Sequence, residues 1–184
     1  MKTILQINSS LFNGSGQSSR LAGELVAALK KQHPHAQVIV RDLVKDPVPH
    51  LDAERFQSQA GKELVEELQR ADVLVLGLPM YNFGVPSQLK AWFDHIARAG
   101  VTFKYTGQGS VGLLTGKKAY VLAARGGLYA GTAADTQTQY VRQFLAFLGI
   151  EDVEFIYAEG LAISEVTRNA AIAKARAIIE KAAA

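Results

Sequence analysis

The stretch 71–83, ADVLVLGLPMYNF, contains a short apolar strand followed at once by aromatic and hydrogen-bonding side chains. Its run of Val and Leu at 73–78 is bounded by Asp72 and Pro79, a pattern typical of a parallel strand buried on both faces. The residues that follow the strand are Met80, Tyr81, Asn82 and Phe83. Since open α/β sheets bind ligands at the carboxyl ends of their strands, this stretch predicts a site for a flat aromatic ligand held by ring contacts and backbone amides.

Strands and helices alternate on both sides of this stretch. Strands are predicted at 2–8, 37–42, 73–78, 118–124 and 152–158. Helices are predicted at 18–32, 53–70, 87–99 (with Ser87 as the N-cap), 136–148 and 164–183, and an irregular excursion at 100–116. This alternation predicts an α/β fold, an open five-stranded parallel sheet with helices on both faces. We expect one domain, 1–184, with the flavodoxin-like strand order 2-1-3-4-5, because the first loop lacks the GxGxxG of a dinucleotide fold.

Composition excludes several classes of function. The 184 residues are 48% hydrophobic and 20% charged, with a net charge of +3 from scattered Lys and Arg, which disfavours nucleic-acid binding. The absence of cysteine excludes disulfides and thiol chemistry. The opening MKTILQINSS is unlike a signal peptide, and no apolar run approaches the roughly 20 residues of a membrane helix. We therefore expect a cytoplasmic protein with no membrane contact.

The histidines carry no recognisable chemistry. No two of them share a metal-ligand spacing, so we expect no metal site. The neighbours Asp94 and His95 resemble a catalytic pair, but adjacent residues of a helix do not face each other. A hydrolase triad is also unsupported because the chain has no GxSxG motif.

Three loops, at 9–18, 79–86 and 124–131, are predicted to converge on one crevice because their strands would be neighbours in the sheet. The first loop is rich in serine and glycine and ends at a helix N-terminus, where free N–H groups and the macrodipole attract an anion. Without a lysine it suits a phosphate monoester better than a nucleoside triphosphate. It is equally compatible with a serine-rich helix cap.

The central and third loops each leave two interpretations open. Tyr81 and Phe83 are placed either to flank a ring system, with the Asn82 amide reaching a ring nitrogen, or to plug the strand end. Gly126 and Gly127 permit close backbone approach, so their amides can donate to a carbonyl or a developing anion.

Two neighbours of these glycines are also ambiguous. Arg125 is either a ligand contact or a structural ion-pair partner. Tyr129 either closes over the site or is merely exposed.

With these loops placed, the chain resembles the FMN-dependent NADH-azoreductases, a flavodoxin-like family allied to the NAD(P)H:quinone reductases. The resemblance rests on PMYNFGVPSQLKAWFDHIARAGVTFKYT at 79–106, GLLTGKKAYVLAARGG at 112–127, FLGIEDVEFIYAEG at 147–160, and SS…GQSS at 9–19. The chain departs from the family in two places. The segment 43–71, which helps to shape the substrate mouth, is shorter, and Ala124 stands where serine commonly precedes RGG.

The resemblance implies FMN in the crevice and NADH or NADPH as electron donor. The residues implied for the phosphate and ribityl chain are Ser10, Gly16, Gln17 and Ser18. Those implied for the isoalloxazine are Pro79, Met80, Tyr81, Asn82 and Phe83, and those for its pyrimidine end are Ala124, Arg125, Gly126 and Gly127. It also implies a homodimer with each site completed by the partner, for which 100–116 and 155–157 are the interface candidates.

The activity implied is a two-electron, ping-pong transfer to quinones and azo compounds. No side chain need act as an acid or base; the amides of Gly126, Gly127 and Asn82 supply electrostatic support. The rival hypothesis is a flavodoxin-type one-electron carrier. Such carriers tend to be strongly acidic, whereas this chain has a net charge of +3.

Overall fold

A computed structural model describes residues 2–58 and 60–182 of the chain. The strands are β1 (Thr3–Asn8), β2 (Gln37–Asp42), β3 (Val73–Pro79), β4 (Phe103–Thr106), β5 (Gly109–Gly112), β6 (Lys118–Ala124) and β7 (Asp152–Ala158). The helices are α1 (Gln17–Gln32), α2 (Ala53–Gln57), α3 (Lys62–Arg70), α4 (Ser87–Ile96), α5 (Thr136–Phe147) and α6 (Glu165–Ala182). The last residue of the predicted final helix, 183, lies outside the described residues.

Five strands form the predicted parallel sheet in the order β2-β1-β3-β6-β7. This confirms the flavodoxin-like order 2-1-3-4-5, since β6 and β7 are the fourth and fifth strands of that sheet. All seven residues of β3 are buried, as its apolar run predicts. β2 forms one edge and is only partly covered.

The two faces of the sheet have separate apolar cores, and alternate residues of β3 contribute to each. Leu74 and Leu76 pack with the side chains of α3, α4 and α5. Val73 and Val75 pack with those of α1 and α6. Helices therefore cover both faces, and the carboxyl ends of the strands are left for the connecting loops.

The helix predicted at 53–70 is in fact two helices. Asp52 caps α2 by accepting a hydrogen bond from the Arg55 N–H at 2.8 Å, and α2 ends at Gln57. Gly61 then adopts φ +81° and begins α3. Because this left-handed conformation suits glycine and interrupts a right-handed helix, the prediction of one continuous helix was wrong.

The segment predicted as an irregular excursion, 100–116, contains an antiparallel hairpin. Phe103 pairs with Gly112 across β4 and β5, and Gly112 lies directly against the backbone of Gly149, so that an added Cβ would come 2.0 Å from the Gly149 nitrogen. The segment contains five glycines, at 100, 107, 109, 112 and 116, which have no side chain to show the alternation of a strand; at least Gly112 is required by close backbone approach.

Helix α4 differs from its prediction at both ends. Pro86 occupies the N-cap position and no side chain caps the helix, so Ser87 is the first helical residue and not the cap. The helix ends at Ile96, three residues early, where Thr102 Oγ1 donates to the Ile96 carbonyl at 2.7 Å. That side chain replaces the next helical hydrogen bond.

Candidate functional site

The loops that follow β1, β3 and β6 lie side by side, as predicted. Ser9 Oγ donates to the Gly77 carbonyl at 2.8 Å, and the Tyr81 hydroxyl accepts from the Leu11 N–H at 3.1 Å. On the other side the Met80 N–H donates to the Ala124 carbonyl at 3.1 Å. The central loop is thus bonded to both of its neighbours.

The first loop leads into α1 through a 3₁₀ turn at Asn13–Ser15. Ser18 Oγ and Ser19 Oγ are buried and find no hydrogen-bond partner among the described residues. The first-turn N–H groups of a helix also have no partner within it. Unpaired hydroxyls and amides at a positive helix end form a cradle for an anion.

Gly16 keeps this cradle open. It is buried at the start of α1, and an added Cβ would come 2.0 Å from Ser10 Oγ. Its φ of −65° is one that any residue adopts. The glycine is therefore required by space and not by conformation.

The central loop is a tight turn. The Tyr81 N–H donates to the Gly84 carbonyl at 3.3 Å, and the Gly84 N–H donates back to the Tyr81 carbonyl at 2.9 Å. The two residues at the tip have positive φ, +49° for Asn82 and +63° for Phe83, as a type I′ turn requires. Both tip side chains are exposed at the crevice.

The two aromatic rings of this loop point to different neighbours. The Tyr81 hydroxyl reaches the first loop, as described above, whereas the Phe83 ring meets Tyr129 of the third loop edge-on, with 5.7 Å between centroids. Tyr129 thus stands at the crevice beside Phe83. The rings bridge all three loops.

The third loop presents two free amides. The carbonyls of Gly126 and Gly127 accept from Ala162 N–H at 3.0 Å and Gly160 N–H at 2.8 Å. Their own N–H groups donate to no acceptor within the described part of the chain. Gly126 is exposed and Gly127 half-buried, so both N–H groups are open to a ligand in the crevice.

Arg125 is a structural ion-pair partner. Its guanidinium is 0% exposed and lies 2.8 Å from Asp135 Oδ1 and 3.0 Å from Glu159 Oε1. Burial by itself would raise the pKa of Asp135, but the hydrogen bonds from Arg125 and Thr138 outweigh it and hold that pKa below its ordinary value. The Arg125 side chain therefore faces the protein and not the crevice.

The first turn of α5 supplies functional residues that the sequence did not single out. Asp135 caps the helix, the Thr136 hydroxyl donates to the Phe83 carbonyl, and the Gln137 amide donates to the carbonyls of Pro79 and Gly84. The signal for the cap, an aspartate before the helix, was present. The other contacts join residues more than fifty positions apart, so no local pattern reveals them.

The segment 43–71 lies beside a cavity of about 290 Å³ between α3 and the start of the hairpin, lined in part by Phe56, Val65, Arg98 and Val101. None of the described helices is both long and apolar enough to cross a bilayer.

The described side chains form no group of three or more His, Asp or Glu that could hold a metal ion. His95 is buried and bonded to the Ala91 carbonyl, and Asp94 pairs with Lys90 instead.

Comparison with known proteins places this geometry among flavoproteins. The family model Flavodoxin_2, described as a flavodoxin-like fold, matches residues 2–183. An FMN-dependent NADH:quinone oxidoreductase of Cellvibrio japonicus is 50% identical, with 98% of each chain covered. One of the same name from Alcanivorax borkumensis is 51% identical over 94% of this chain and 96% of the relative.

A solved structure gives the same result. The FMN-dependent NADH-azoreductase of Bacillus anthracis in complex with FMN superposes with a TM-score of 0.88 at 28% identity, covering 100% of this chain and 98% of that one. The likeness therefore extends over the sheet, its helices and the hairpin together.

Proposed function

The chain belongs to the flavodoxin-like family that contains the FMN-dependent NADH:quinone oxidoreductases, and from this premise we propose that it transfers two electrons from NADH or NADPH to quinones and azo compounds. The observation that carries the proposal is the set of unpaired polar groups in the crevice: the hydroxyls of Ser18 and Ser19 and the amides of Gly126 and Gly127. The two serine hydroxyls are buried, and buried polar groups are normally paired, so we expect a ligand to bond them. Gly126 is exposed and Gly127 half-buried, so a ligand can also reach their amides.

These residues fit FMN end to end. The hydroxyls and first-turn amides of α1 suit a phosphate, and the adjoining groups of the first loop suit the ribityl chain; the residues concerned are Ser10, Gly16, Gln17 and Ser18. The turn after β3 suits the ring system, with Pro79, Met80, Tyr81, Asn82 and Phe83 along it. The backbone from Ala124 to Gly127 suits the pyrimidine edge.

Bound FMN would supply the redox chemistry, taking a hydride from the nicotinamide and passing two electrons to the acceptor in a second half-reaction of a ping-pong exchange. The protein supplies position and electrostatics. With FMN bound, the N–H groups of Gly126 and Gly127 would donate to negative charge at its pyrimidine edge, and one such preorganised donor is worth roughly 3 kcal/mol. The Arg125 side chain contributes indirectly, because its ion pairs with Asp135 and Glu159 anchor the loop that carries these amides.

A homodimer is part of the proposal. The hairpin and the neighbouring α2 expose large apolar side chains, of which Tyr105 is 75% and Phe56 60% exposed. Phe155 and Tyr157 stack on each other at the edge strand β7. Exposed apolar patches of this kind mark protein interfaces, and light scattering after gel filtration would measure the assembly.

An anaerobic titration tests the activity. FMN-loaded protein should lose its visible flavin absorbance on addition of NADH and regain it on addition of a quinone, and double-reciprocal plots at several quinone concentrations should be parallel. Intersecting lines would rule out the ping-pong order. A bound flavin that neither NADH nor NADPH bleaches would favour the one-electron carrier.

A further inference from the structure

The turn after β3 holds an unfavourable backbone conformation at its tip. Asn82 and Phe83 both have positive φ; asparagine tolerates this region, but a bulky residue such as phenylalanine is an outlier there. Such conformations persist only where the surrounding structure enforces them, and they concentrate at functional sites. The groups that enforce this one are therefore of interest.

Gln137 clamps the two ends of the turn. Its side-chain amide Nε2 lies 2.9 Å from the Pro79 carbonyl and 2.9 Å from the Gly84 carbonyl. One NH₂ group therefore donates a hydrogen bond to each end of the six-residue segment 79–84. Gln137 is 0% exposed. Without this donor, the clamped carbonyls would lose a buried partner.

Gln137 is held in place by the helix that carries it. Gln137 lies in the first turn of α5, next to Thr136, whose hydroxyl donates to the Phe83 carbonyl at the tip. The same helical turn is fixed to the third loop through Asp135 and Arg125. Groups that hold a site from a helix fix its geometry more firmly than groups on loops.

We propose that Gln137 is a positioning residue of the cofactor site. It holds the turn 81–84 in the conformation that presents Asn82 and Phe83 to the flavin ring, and it does not itself touch the reacting atoms. This inference rests on the proposed function. Thr136 assists from the exposed side of the same turn.

The test compares Gln137→Met with Gln139→Met. Both positions lie in α5, and methionine matches glutamine in length and helix propensity, but Gln139 is exposed. FMN is removed and its rebinding followed by quenching of flavin fluorescence, with visible circular dichroism as a readout of ring geometry. We expect Q137M to bind FMN about tenfold or more weakly, the change for losing a pair of hydrogen bonds, with altered dichroism. Q139M should match the wild type.

Equal FMN affinity and dichroism in Q137M and the wild type would overturn the inference. If Q137M does not fold, Gln137→Asn decides, since asparagine keeps a polar amide but is one methylene too short to donate to both carbonyls: a several-fold weaker affinity supports the clamp, and an unchanged one overturns it. A wild-type protein that binds no FMN would instead overturn the proposed function.

Discussion

The Arg125 guanidinium donates to Glu159 Oε1 across 3.0 Å, and the two side chains are only 0% and 13% exposed. The same oxygen accepts the backbone N–H groups of Tyr129 at 3.0 Å and Ala130 at 2.9 Å. One carboxylate at the end of β7 therefore holds both the start and the middle of the loop after β6. The loop that carries the Gly126 and Gly127 amides is built around this ion pair.

Replacing Glu159 by Gln should destabilise the protein. The glutamine oxygen can still accept the backbone N–H groups, but Arg125 is left with Asp135 as its only counter-charge. Because Asp135 still compensates the buried Arg125 charge, we expect a loss of about 1–3 kcal/mol of unfolding free energy, less than the cost of a buried charge without any partner. Urea unfolding measures the change. Glu151→Gln, at an exposed position, is the control and should stay within about 0.5 kcal/mol of the wild type. Equal urea midpoints for the two variants would contradict the role of Glu159 in anchoring this loop.

Asp135→Asn should make the unfolding free energy depend less on pH in the acid range. Asparagine keeps the helix cap but removes the charge that faces Arg125. Because the folded pKa of Asp135 lies below its ordinary value of 3.8, its stabilising effect is present above that value and is lost as the pH falls toward the lowered folded pKa. The wild type should therefore exceed D135N in unfolding free energy near neutrality, and the gap should narrow below about pH 4. A gap that stays constant down to about pH 3 would contradict this account.

The sheet was predictable because its signals are local. The Val and Leu run of β3 is the pattern of a strand buried on both faces, and the alternation of elements fixes a parallel sheet. The two wrong elements share a cause, glycine. Gly61 breaks a helix whose apolar spacing looks continuous. Gly112 pairs with Phe103 across the hairpin and lies against the backbone of Gly149, but it has no side chain to show the alternation of a strand.

The sequence predicted which loops form the site, but not the side-chain hydrogen bonds and ion pairs that hold them together. Strand order alone brings 9–18, 79–86 and 124–131 together. The clamp by Gln137 and the ion pair of Arg125 with Glu159 join residues 58 and 34 positions apart, and only the folded structure brings them into contact. For this reason the sequence left the role of Arg125 open.

Gly16→Ala should weaken FMN binding. The added methyl group would lie 2.0 Å from Ser10 Oγ, so the serine must move out of the phosphate cradle. Gly14→Ala is the matched control, since an added Cβ there meets nothing within 4 Å. We expect a loss of affinity of about tenfold or more for G16A, equivalent to about 1.4 kcal/mol, measured by fluorescence titration. Equal binding by the two variants would show that Ser10 can move without harm to the site.

Gly127→Val should impair FMN binding while leaving the fold intact. A Cβ at this position would come 2.7 Å from the end of the Tyr129 ring, and a half-buried side chain can swing away, so thermal unfolding should change little. The valine would still crowd the amide that we propose as the donor to the pyrimidine edge. Loss of that one donor corresponds to roughly a hundredfold weaker interaction.

Tyr129→Ala separates crowding of the flavin from displacement of the tyrosine. If the valine acts on the flavin directly, Y129A should bind FMN nearly as well as the wild type, and Gly127→Val with Tyr129→Ala should bind as weakly as G127V alone. If the valine acts only by moving the ring, Y129A should be as weak as G127V, and adding the valine should change nothing further. Wild-type affinity in G127V itself would mean that the Gly127 amide is not a contact of the cofactor.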